Sequence, residues 1–358
     1  MPQAGWNDDA NADSAVEAEV GADLEDDLDD DEDWDEDDVR VRANRRSRPR
    51  TKIRPKHAHA VEGIVTAVDR GRYTCLIDGR PITAMKAREL GKQSIVVGDR
   101  AALVGDRSGN PGTLARIVRI EERHGELRRS ADDETSRERV VVANVDCLVV
   151  VASVIDPPLR YGFVDRCLIA AYDAAVAPVL CLTKNDLAPE LVEEVRAYYS
   201  QLDLTIVTTR PDEPLDHLVE LLADKENVFF GHSGVGKSTL INRLVPGAKR
   251  AVAEVRSIGK GSHTSTSTVA LELPEGGWVI DTPGVRSFGL AHVTADSILK
   301  AFPELKVVAE DCPRGCTHTP EIGDCALDAA IGPEDPRAGR LASFRRVLAS
   351  LNEADSKN

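Results

Sequence analysis

The residues from Gly231 to Thr239 form the string G-H-S-G-V-G-K-S-T, whose residue types are suited to binding a chain of phosphates. Glycine is needed where backbone N–H groups wrap around phosphate, lysine supplies positive charge, and serine supplies a hydroxyl ligand for Mg²⁺. Gly231, Gly236, Lys237 and Ser238 occupy those four positions. The predicted nucleotide-binding residues are all nine members of this phosphate loop: Gly231, His232, Ser233, Gly234, Val235, Gly236, Lys237, Ser238 and Thr239.

A second tetrad, Thr183, Lys184, Asn185 and Asp186, directly follows an apolar segment. The Asp186 carboxylate can accept hydrogen bonds from two guanine N–H groups, while the Lys184 stem can pack on the base. Adenine offers no such pair of donors, and a site built for these hydrogen bonds discriminates against a base that lacks them. These four residues therefore predict a loop that binds GTP and GDP through the guanine base.

Further along the chain, Asp281-Thr282-Pro283-Gly284 follows the short apolar segment Trp278–Ile280. In this arrangement Asp281 can support the Mg²⁺ shell, and the Gly284 N–H can respond to the γ-phosphate. Both residues are predicted to contact the bound nucleotide.

The stretch from Gly259 to Thr268 is polar, rich in Ser and Thr, and has no apolar periodicity. This composition is expected of a loop that becomes ordered when nucleotide binds. Thr264 is the first choice for the hydroxyl that binds Mg²⁺ together with Ser238, and Ser265 and Thr266 are the alternatives.

Val285 follows the D-T-P-G tetrad, at the position where many GTPases carry a Gln that orients the attacking water. Since valine cannot polarise water, we expect slow hydrolysis by the protein alone and a group supplied by a partner or by a mobile loop. His263, beside Thr264, is the internal candidate because its intrinsic pKa is near neutral. The predicted catalytic residues are His263, Lys237, which offsets phosphate charge, and Thr264.

Cys312, Cys316, His318 and Cys325 place three thiols and one imidazole within fourteen residues. Four such donors suit tetrahedral Zn²⁺, and a complete set leaves no open position for catalysis. One structural zinc site is therefore predicted here. The alternative is a set of free thiols beside an incidental histidine.

The elements that position these loops are indicated by buried strands that alternate with helices, a pattern typical of a mostly parallel α/β sheet. The predicted strands are Val140–Ser153, Val179–Thr183, Leu204–Thr208 and Asn227–Gly231. The predicted helices are Phe163–Ala175, Pro189–Ser200, Pro214–Ala223 and Thr239–Leu244. The guanine loop and a predicted second base loop, Val207–Arg210, precede the phosphate loop, whereas the ordinary order is the reverse. The sequence therefore predicts a circularly permuted GTPase domain.

Between about Ala60 and Ile120, Gly, Asp and Asn-Pro-Gly turn signals separate four short β-rich runs: Val61–Val68, Tyr73–Ile77, Ala101–Val104 and Ala115–Ile120. Their number and length suit a small antiparallel barrel of the oligonucleotide-binding type. C-terminal helices are predicted near Thr294–Phe302 and Arg337–Leu351. The latter has a basic face, which either contacts RNA phosphates or is solvated.

The charge of the chain is concentrated in its N-terminal tail. The formal net charge is −16, yet residues 1–38 carry 18 Asp and Glu and no Lys or Arg, and residues 39–56 carry nine Lys and Arg and no acid. Such a segment cannot bury enough apolar surface to fold, so residues 1–56 are predicted to be disordered. The tail is either solubilising, or its basic stretch Arg40–Lys56 contacts RNA in competition with the acidic block.

No apolar run approaches the roughly 20 residues of a membrane helix, and the N-terminus is acidic rather than basic and apolar. A cytoplasmic protein without a membrane partner is therefore expected. The predicted boundaries are 1–56 for the tail, 57–122 for the barrel, 123–139 for a polar connector, 140–290 for the permuted GTPase domain and 291–358 for a helical zinc-binding domain.

On these residues the chain resembles the RsgA family, the ribosome small-subunit-dependent GTPases A. The resemblance covers about residues 58–350 and depends on the permuted motif order, Gly259–Thr266, Asp281–Gly289 and the Cys/His cluster. It implies a role in late maturation of the small ribosomal subunit, with contact to its rRNA, hydrolysis stimulated by the subunit, and release of the factor afterward. A monomer is expected.

Three features depart from the family pattern. Ser265 stands where the family usually has a second Thr, Thr183 replaces the common Asn, and the cysteine spacing differs by one residue on each side. Two other functions remain open. A permuted GTPase of the large subunit is disfavoured by the barrel and the terminal zinc cluster, while Val285 leaves room for an RNA-binding module whose hydrolysis is incidental.

Overall fold

The computed structural model describes most of the chain after the N-terminal tail, and all of the described residues belong to one compact unit, Lys56–Asn358. The predicted disordered tail, 1–56, lies outside the described residues, as do His263, Thr264 and Gly284. The described ranges are 57–69, 71–110, 112–132, 135–248, 268–282, 288, 290, 292–320 and 323–355.

Five strands close into a barrel, which confirms the predicted barrel. Strand β1 pairs with β2 and β4, β2 with β3, β3 with β5, and β5 with β4, so no edge is left open. The inward side chains of Val65, Cys75, Leu103 and Ile117 are completely buried. The strands are β1 (Val61–Asp69), β2 (Arg72–Ile77), β3 (Arg80–Lys86), β4 (Arg100–Gly105) and β5 (Ala115–Ile120).

A two-stranded hairpin lies where a polar connector was predicted. Its strands are β6 (Leu127–Asp132) and β7 (Thr135–Val142), which pair antiparallel. Leu127 lies opposite Val142, and both are buried. These two apolar residues anchor a ribbon whose other residues are mostly polar, which explains why hydrophobic periodicity did not indicate strands here.

The single strand predicted for Val140–Ser153 is wrong, because two strands share this stretch. Strand β7 ends at Val142, and β8 begins at Cys147. Between them Asn144 adopts a positive φ of 58° and donates from its side-chain amide to the Gly98 carbonyl at 2.8 Å. Asn tolerates this left-handed conformation, which interrupts the extended chain.

The remaining strands form a sheet in the order β10-β9-β8-β11-β13-β12, in which only β12 is antiparallel to its neighbour. Strand β8 is buried at every position, as expected of a central strand covered on both faces. The strands are β8 (Cys147–Ser153), β9 (Ala177–Thr183), β10 (Thr205–Thr209), β11 (Glu226–Phe230), β12 (Val269–Glu272) and β13 (Trp278–Asp281).

Helices cover both faces of this sheet. The helices α1 (Tyr161–Asp173) and α2 (Pro189–Tyr199) pack on one face, while α3 (Asp216–Leu222) and α4 (Lys237–Leu244) pack on the other. The alternation of strands and helices predicted from the sequence is thus confirmed, with shifts of a few residues at the ends.

Four helices follow the last strand and share a hydrophobic core with α1. The ring of Phe302 packs edge-on against Tyr172 of α1 and against Phe344. The helices are α5 (Ala295–Leu299), α6 (Pro303–Ala309), α7 (Ala326–Ala330) and α8 (Ala338–Asp355).

The single helix predicted for Thr294–Phe302 is shorter than expected. Thr294 caps α5 through a capping box with Ser297, and α5 ends at Leu299. Pro303 then begins a separate helix at a position where its missing N–H costs nothing.

Among the described residues, no helix is long and apolar enough to cross a membrane.

Candidate nucleotide site and candidate metal centre

The phosphate loop connects the end of β11 to the start of α4, as the phosphate-binding chemistry requires. A Cβ on Gly231 would lie 2.4 Å from the Val151 carbonyl oxygen, so only glycine fits there. Gly234 and Gly236 have φ values of 84° and 91°, a conformation that favours glycine. The three glycines thus shape the loop, and Ser238 and Thr239 lie exposed in the first turn of α4.

Lys237 of the phosphate loop forms an ion pair with Asp281 of the D-T-P-G tetrad. The sequence predicted both residues to lie in the nucleotide site, each from a different motif. The Lys237 Nζ donates to Asp281 Oδ1, and the two side chains are only 12% and 23% exposed. The adjacent Thr282 hydroxyl donates to the Phe229 carbonyl at 3.1 Å, which ties the end of β13 to β11. The cation predicted to bind the phosphates and the carboxylate predicted to support the Mg²⁺ shell are therefore in contact at the carboxyl ends of the strands.

The guanine loop is joined to the phosphate loop by Thr183. Its hydroxyl donates to the Val235 carbonyl at 2.6 Å and also lies 3.3 Å from the Ala152 carbonyl. Thr183 is buried, so this contact is protected from water. The residue that departs from the family's common Asn therefore connects the predicted guanine loop to the predicted phosphate loop.

The other members of the guanine loop are more accessible. Lys184 has a φ of 58° and donates to the Asp156 carbonyl, which fixes the direction of its stem. Asn185 Oδ1 is buried without a hydrogen-bond partner among the described residues, and Asp186 is exposed. An exposed carboxylate beside a fixed lysine stem is the arrangement expected for binding a guanine base.

The predicted second base loop, Val207–Arg210, lies at the same edge of the sheet. Strands β9 and β10 are parallel, and Thr209 is directly opposite Thr183. The Arg210 carbonyl accepts a hydrogen bond from Arg243 of α4 at 2.8 Å. The loop is thus attached to the helix that follows the phosphate loop.

An aromatic cluster below the phosphate loop was not predicted. The His232 ring lies 4.1 Å from the Phe163 ring, and Phe230 packs between Phe163 and Phe288. Burial, and then the positive charge of Arg160, lower the pKa of His232. His232 therefore packs against Phe163 in addition to belonging to the phosphate loop, and the apolar run before the loop was the only signal of this cluster in the sequence.

Several predicted site residues lie outside the described residues. They are His263, Thr264, Ser265 and Thr266 of the polar loop, together with Gly284 and Val285. Their proposed roles in Mg²⁺ binding, γ-phosphate sensing and hydrolysis therefore stay predictions.

The four predicted zinc ligands come together at one point. With Zn–S bonds of about 2.3 Å and a Zn–N bond of about 2.0 Å, tetrahedral donor atoms lie about 3.5–3.8 Å apart. Cys312 Sγ is 3.6 Å from His318 Nδ1 and 3.9 Å from Cys325 Sγ, and Cys325 Sγ is 3.9 Å from His318 Nδ1. Cys316 belongs to the same group, in which all four ligand atoms lie within 4.8 Å of one another. The donor set therefore fits zinc, and the sulfur separation is too long for a disulfide.

Surrounding polar groups hold these ligands in place. His318 is 3% exposed and has a φ of 56°, and its Nε2 lies 3.6 Å from the Asp296 carboxylate. Arg345 donates to the His318 carbonyl at 3.0 Å and binds both oxygens of Asp328 at 2.7 Å. Such outer contacts orient metal ligands.

The basic face of α8 is occupied by internal partners, so these contacts do not support a free phosphate-binding surface. The guanidinium of Arg346 lies 4.0 Å above the Tyr198 ring. The other pairs on this helix are Arg340 with Glu304 and Asp203, and Arg345 with Asp328. Arg337, directly before the helix, pairs with Asp335.

The strand order, the phosphate loop on the central strand and the guanine loop that precedes it in the chain define a circularly permuted P-loop GTPase with an N-terminal barrel. The RsgA GTPase family model matches residues 120–291. The chain is 37% identical over 308 residues to a "Small ribosomal subunit biogenesis GTPase RsgA" from Chlorobaculum parvum, covering 82% of this chain and 99% of that protein. A protein of the same name from Shewanella oneidensis is 35% identical over 270 residues, covering 73% and 75% of the two chains. The chain belongs to the RsgA GTPase family.

Solved structures agree with the fold. YjeQ from Thermotoga maritima superposes with a TM-score of 0.59 at 25% identity, covering 82% of this chain and 99% of that one. YloQ, described as a circularly permuted GTPase, gives a TM-score of 0.59 at 22% identity over 84% and 98% of the two chains. The circular permutation predicted from motif order is thus confirmed.

Proposed function

We propose that this protein hydrolyses GTP to GDP and phosphate in the biogenesis of the small ribosomal subunit. The observation that carries the proposal is the convergence of Lys237, Asp281 and the Thr183–Val235 contact at one edge of the sheet in a member of this family. The names of the Chlorobaculum and Shewanella relatives supply the biological process.

Within this site each group has a distinct task. Asp186 accepts from the guanine N–H groups, the phosphate-loop backbone and Lys237 bind the phosphates, and Ser238 with Thr264 would hold Mg²⁺. Bound Mg²⁺ would neutralise charge that develops on the phosphate oxygens during hydrolysis. Lys237 would offset the same charge through its ammonium group.

Hydrolysis is expected to be slow without the subunit, because Val285 cannot orient water. The small subunit, through its rRNA, would stimulate turnover by ordering the loop that carries His263, and hydrolysis would release the factor. We also propose that Cys312, Cys316, His318 and Cys325 hold one structural zinc and that the protein acts as a cytoplasmic monomer. The domain boundaries are proposed as predicted from the sequence, except that the segment between barrel and GTPase domain extends to the end of β7 at Val142.

The test is GTP hydrolysis by the purified full chain, measured with and without isolated small subunits, with ATP as the control nucleotide. We expect slow turnover of GTP alone, strong stimulation by small subunits and none by large subunits. Stimulation by large subunits instead would indicate a role in the biogenesis of the large subunit. If neither subunit stimulates hydrolysis, the proposed role in subunit biogenesis is wrong.

A further inference from the structure

Three side chains that lie far apart in sequence meet at the junction of the barrel and the GTPase sheet. His124 follows the last barrel strand, Asp146 immediately precedes β8, and Glu226 is the first residue of β11. One ligand atom from each lies within 4.8 Å of the other two. None of the three belongs to the nucleotide site or to the cysteine cluster.

Each carboxylate has one oxygen fixed by an outer contact and the other turned inward. Asp146 Oδ2 accepts from the backbone N–H of Glu226 at 2.9 Å, while Oδ1 lies 3.2 Å from His124 Nε2. Glu226 Oε1 accepts from Arg100 at 2.8 Å, while Oε2 lies 4.0 Å from His124 Nε2. The inward atoms are therefore one imidazole nitrogen and two carboxylate oxygens.

We propose that His124, Asp146 and Glu226 form a second metal site, distinct from the cysteine cluster, which binds a divalent transition ion such as Zn²⁺. Imidazole favours transition metals over Mg²⁺ and Ca²⁺, and the two carboxylates supply the negative charge that a dication requires. Donors about 2.0–2.2 Å from zinc lie about 3.3 Å apart at tetrahedral angles. The 3.2 Å between His124 Nε2 and Asp146 Oδ1 already matches this distance, and a small side-chain shift would shorten the 4.0 Å between His124 Nε2 and Glu226 Oε2.

The burial of Glu226 is the independent reason to expect a ligand here. Its side chain is 8% exposed, and a buried carboxylate beside a second carboxylate is costly unless positive charge compensates both. Arg100 is half exposed and reaches only Oε1, so the oxygen that faces Asp146 and His124 has no permanent cation beside it, and His124 supplies one only when protonated. A metal ion, a proton shared by the two carboxylates or a protonated His124 can each compensate this charge, and only the metal ion predicts that the zinc content falls when His124 is replaced.

The placement of the site gives it a structural role. Glu226 lies at the amino end of β11, whereas the phosphate loop follows its carboxyl end, so the ion cannot take part in hydrolysis. Arg100 lies on barrel strand β4, and His124 lies on the segment that leaves the barrel. A bound ion would therefore link the segment that leaves the barrel to the first residue of β11.

The experiment compares zinc content in the full-length protein after equilibrium dialysis against buffered Zn²⁺. The variants are His124→Ala, Glu226→Gln and, as the matched control, His217→Ala, which removes an exposed histidine from α3. We expect two equivalents of zinc in the unmodified protein and in His217→Ala, and one in His124→Ala and in Glu226→Gln. Thermal melting is measured alongside, and Zn²⁺ should raise the melting temperature more in His217→Ala than in His124→Ala.

Equal zinc content in His124→Ala and His217→Ala would overturn the proposal and favour a shared proton between Asp146 and Glu226. The comparison does not depend on the cysteine cluster, because both variants retain it. Since His124 is more than half exposed, its replacement by alanine leaves little cavity. Circular dichroism confirms that each variant is folded, and His124→Asn provides a second variant with a polar side chain.

Discussion

The hydrogen bond from Thr183 to Val235 is expected to set the affinity for guanine nucleotides, because it joins the loop that binds the base to the loop that binds the phosphates. Thr183→Val removes the hydroxyl while keeping the shape of the side chain. Thr183 and Val235 are 6% and 4% exposed, so water cannot replace the lost donor at the Val235 carbonyl. Leaving a buried acceptor unsatisfied costs about 1–3 kcal/mol.

If the lost hydrogen bond raises the free energy of the GDP-bound state by this amount and leaves the free protein unchanged, GDP affinity drops by about 5- to 150-fold. The matched control is Thr209→Val, at the directly opposite position of the neighbouring strand. Thr209 is 5% exposed, but its hydroxyl meets only the Cys181 sulfur at 3.8 Å, which is a weak partner. The control should therefore bind GDP nearly as the unmodified protein does.

Affinity is measured by titration with a fluorescent GDP analogue, and stability by urea unfolding. Thr183→Asn, which restores a donor at this position, should recover most of the affinity. Equal GDP affinity in Thr183→Val and Thr209→Val would refute the link between the loops. A loss of stability in Thr183→Val with unchanged affinity would show that the hydrogen bond supports the fold and not the site.

Three further outcomes are expected. Lys237→Ala should abolish GDP binding in the same titration while the far-ultraviolet circular dichroism stays unchanged, since it removes the phosphate cation and leaves Asp281 near the surface. Arg345→Ala should speed the loss of zinc to a chelator, because it frees the carbonyl of a zinc ligand, whereas Arg337→Ala, whose guanidinium binds only a neighbouring carboxylate, should not. His263→Ala should lose subunit-stimulated turnover while keeping GDP affinity, and retained stimulation would exclude His263 from the mechanism.

The features predicted well from sequence are those whose signal lies within one short segment. Strands β9 and β11 contain uninterrupted runs of buried residues, and the phosphate loop after β11 adds glycines whose positive φ values the structure shows. The cysteine cluster could be predicted for the same reason, since its four ligands fall within fourteen residues.

Contacts between distant residues could not be predicted in this way. Strand β3 was missed because Pro81 and its polar neighbours weaken the strand pattern, and β12 because it has only four residues. The Thr183–Val235 hydrogen bond spans 52 positions, so no spacing rule could indicate it. The internal ion pairs of α8 likewise depend on carboxylates elsewhere in the chain, which made its basic face look available from sequence alone.

The pairing of Ala67 on β1 with Val269 on β12 makes the barrel and the GTPase sheet one continuous array of eleven strands. Strand β12 stands between the two segments predicted to sense nucleotide, the polar loop before it and the D-T-P-G tetrad after β13. The main chain of the barrel thus pairs directly with the main chain of the GTPase sheet, at a position close in sequence to both of these segments. If β12 shifts when these segments bind nucleotide, we expect the shift to reach the barrel first through β1.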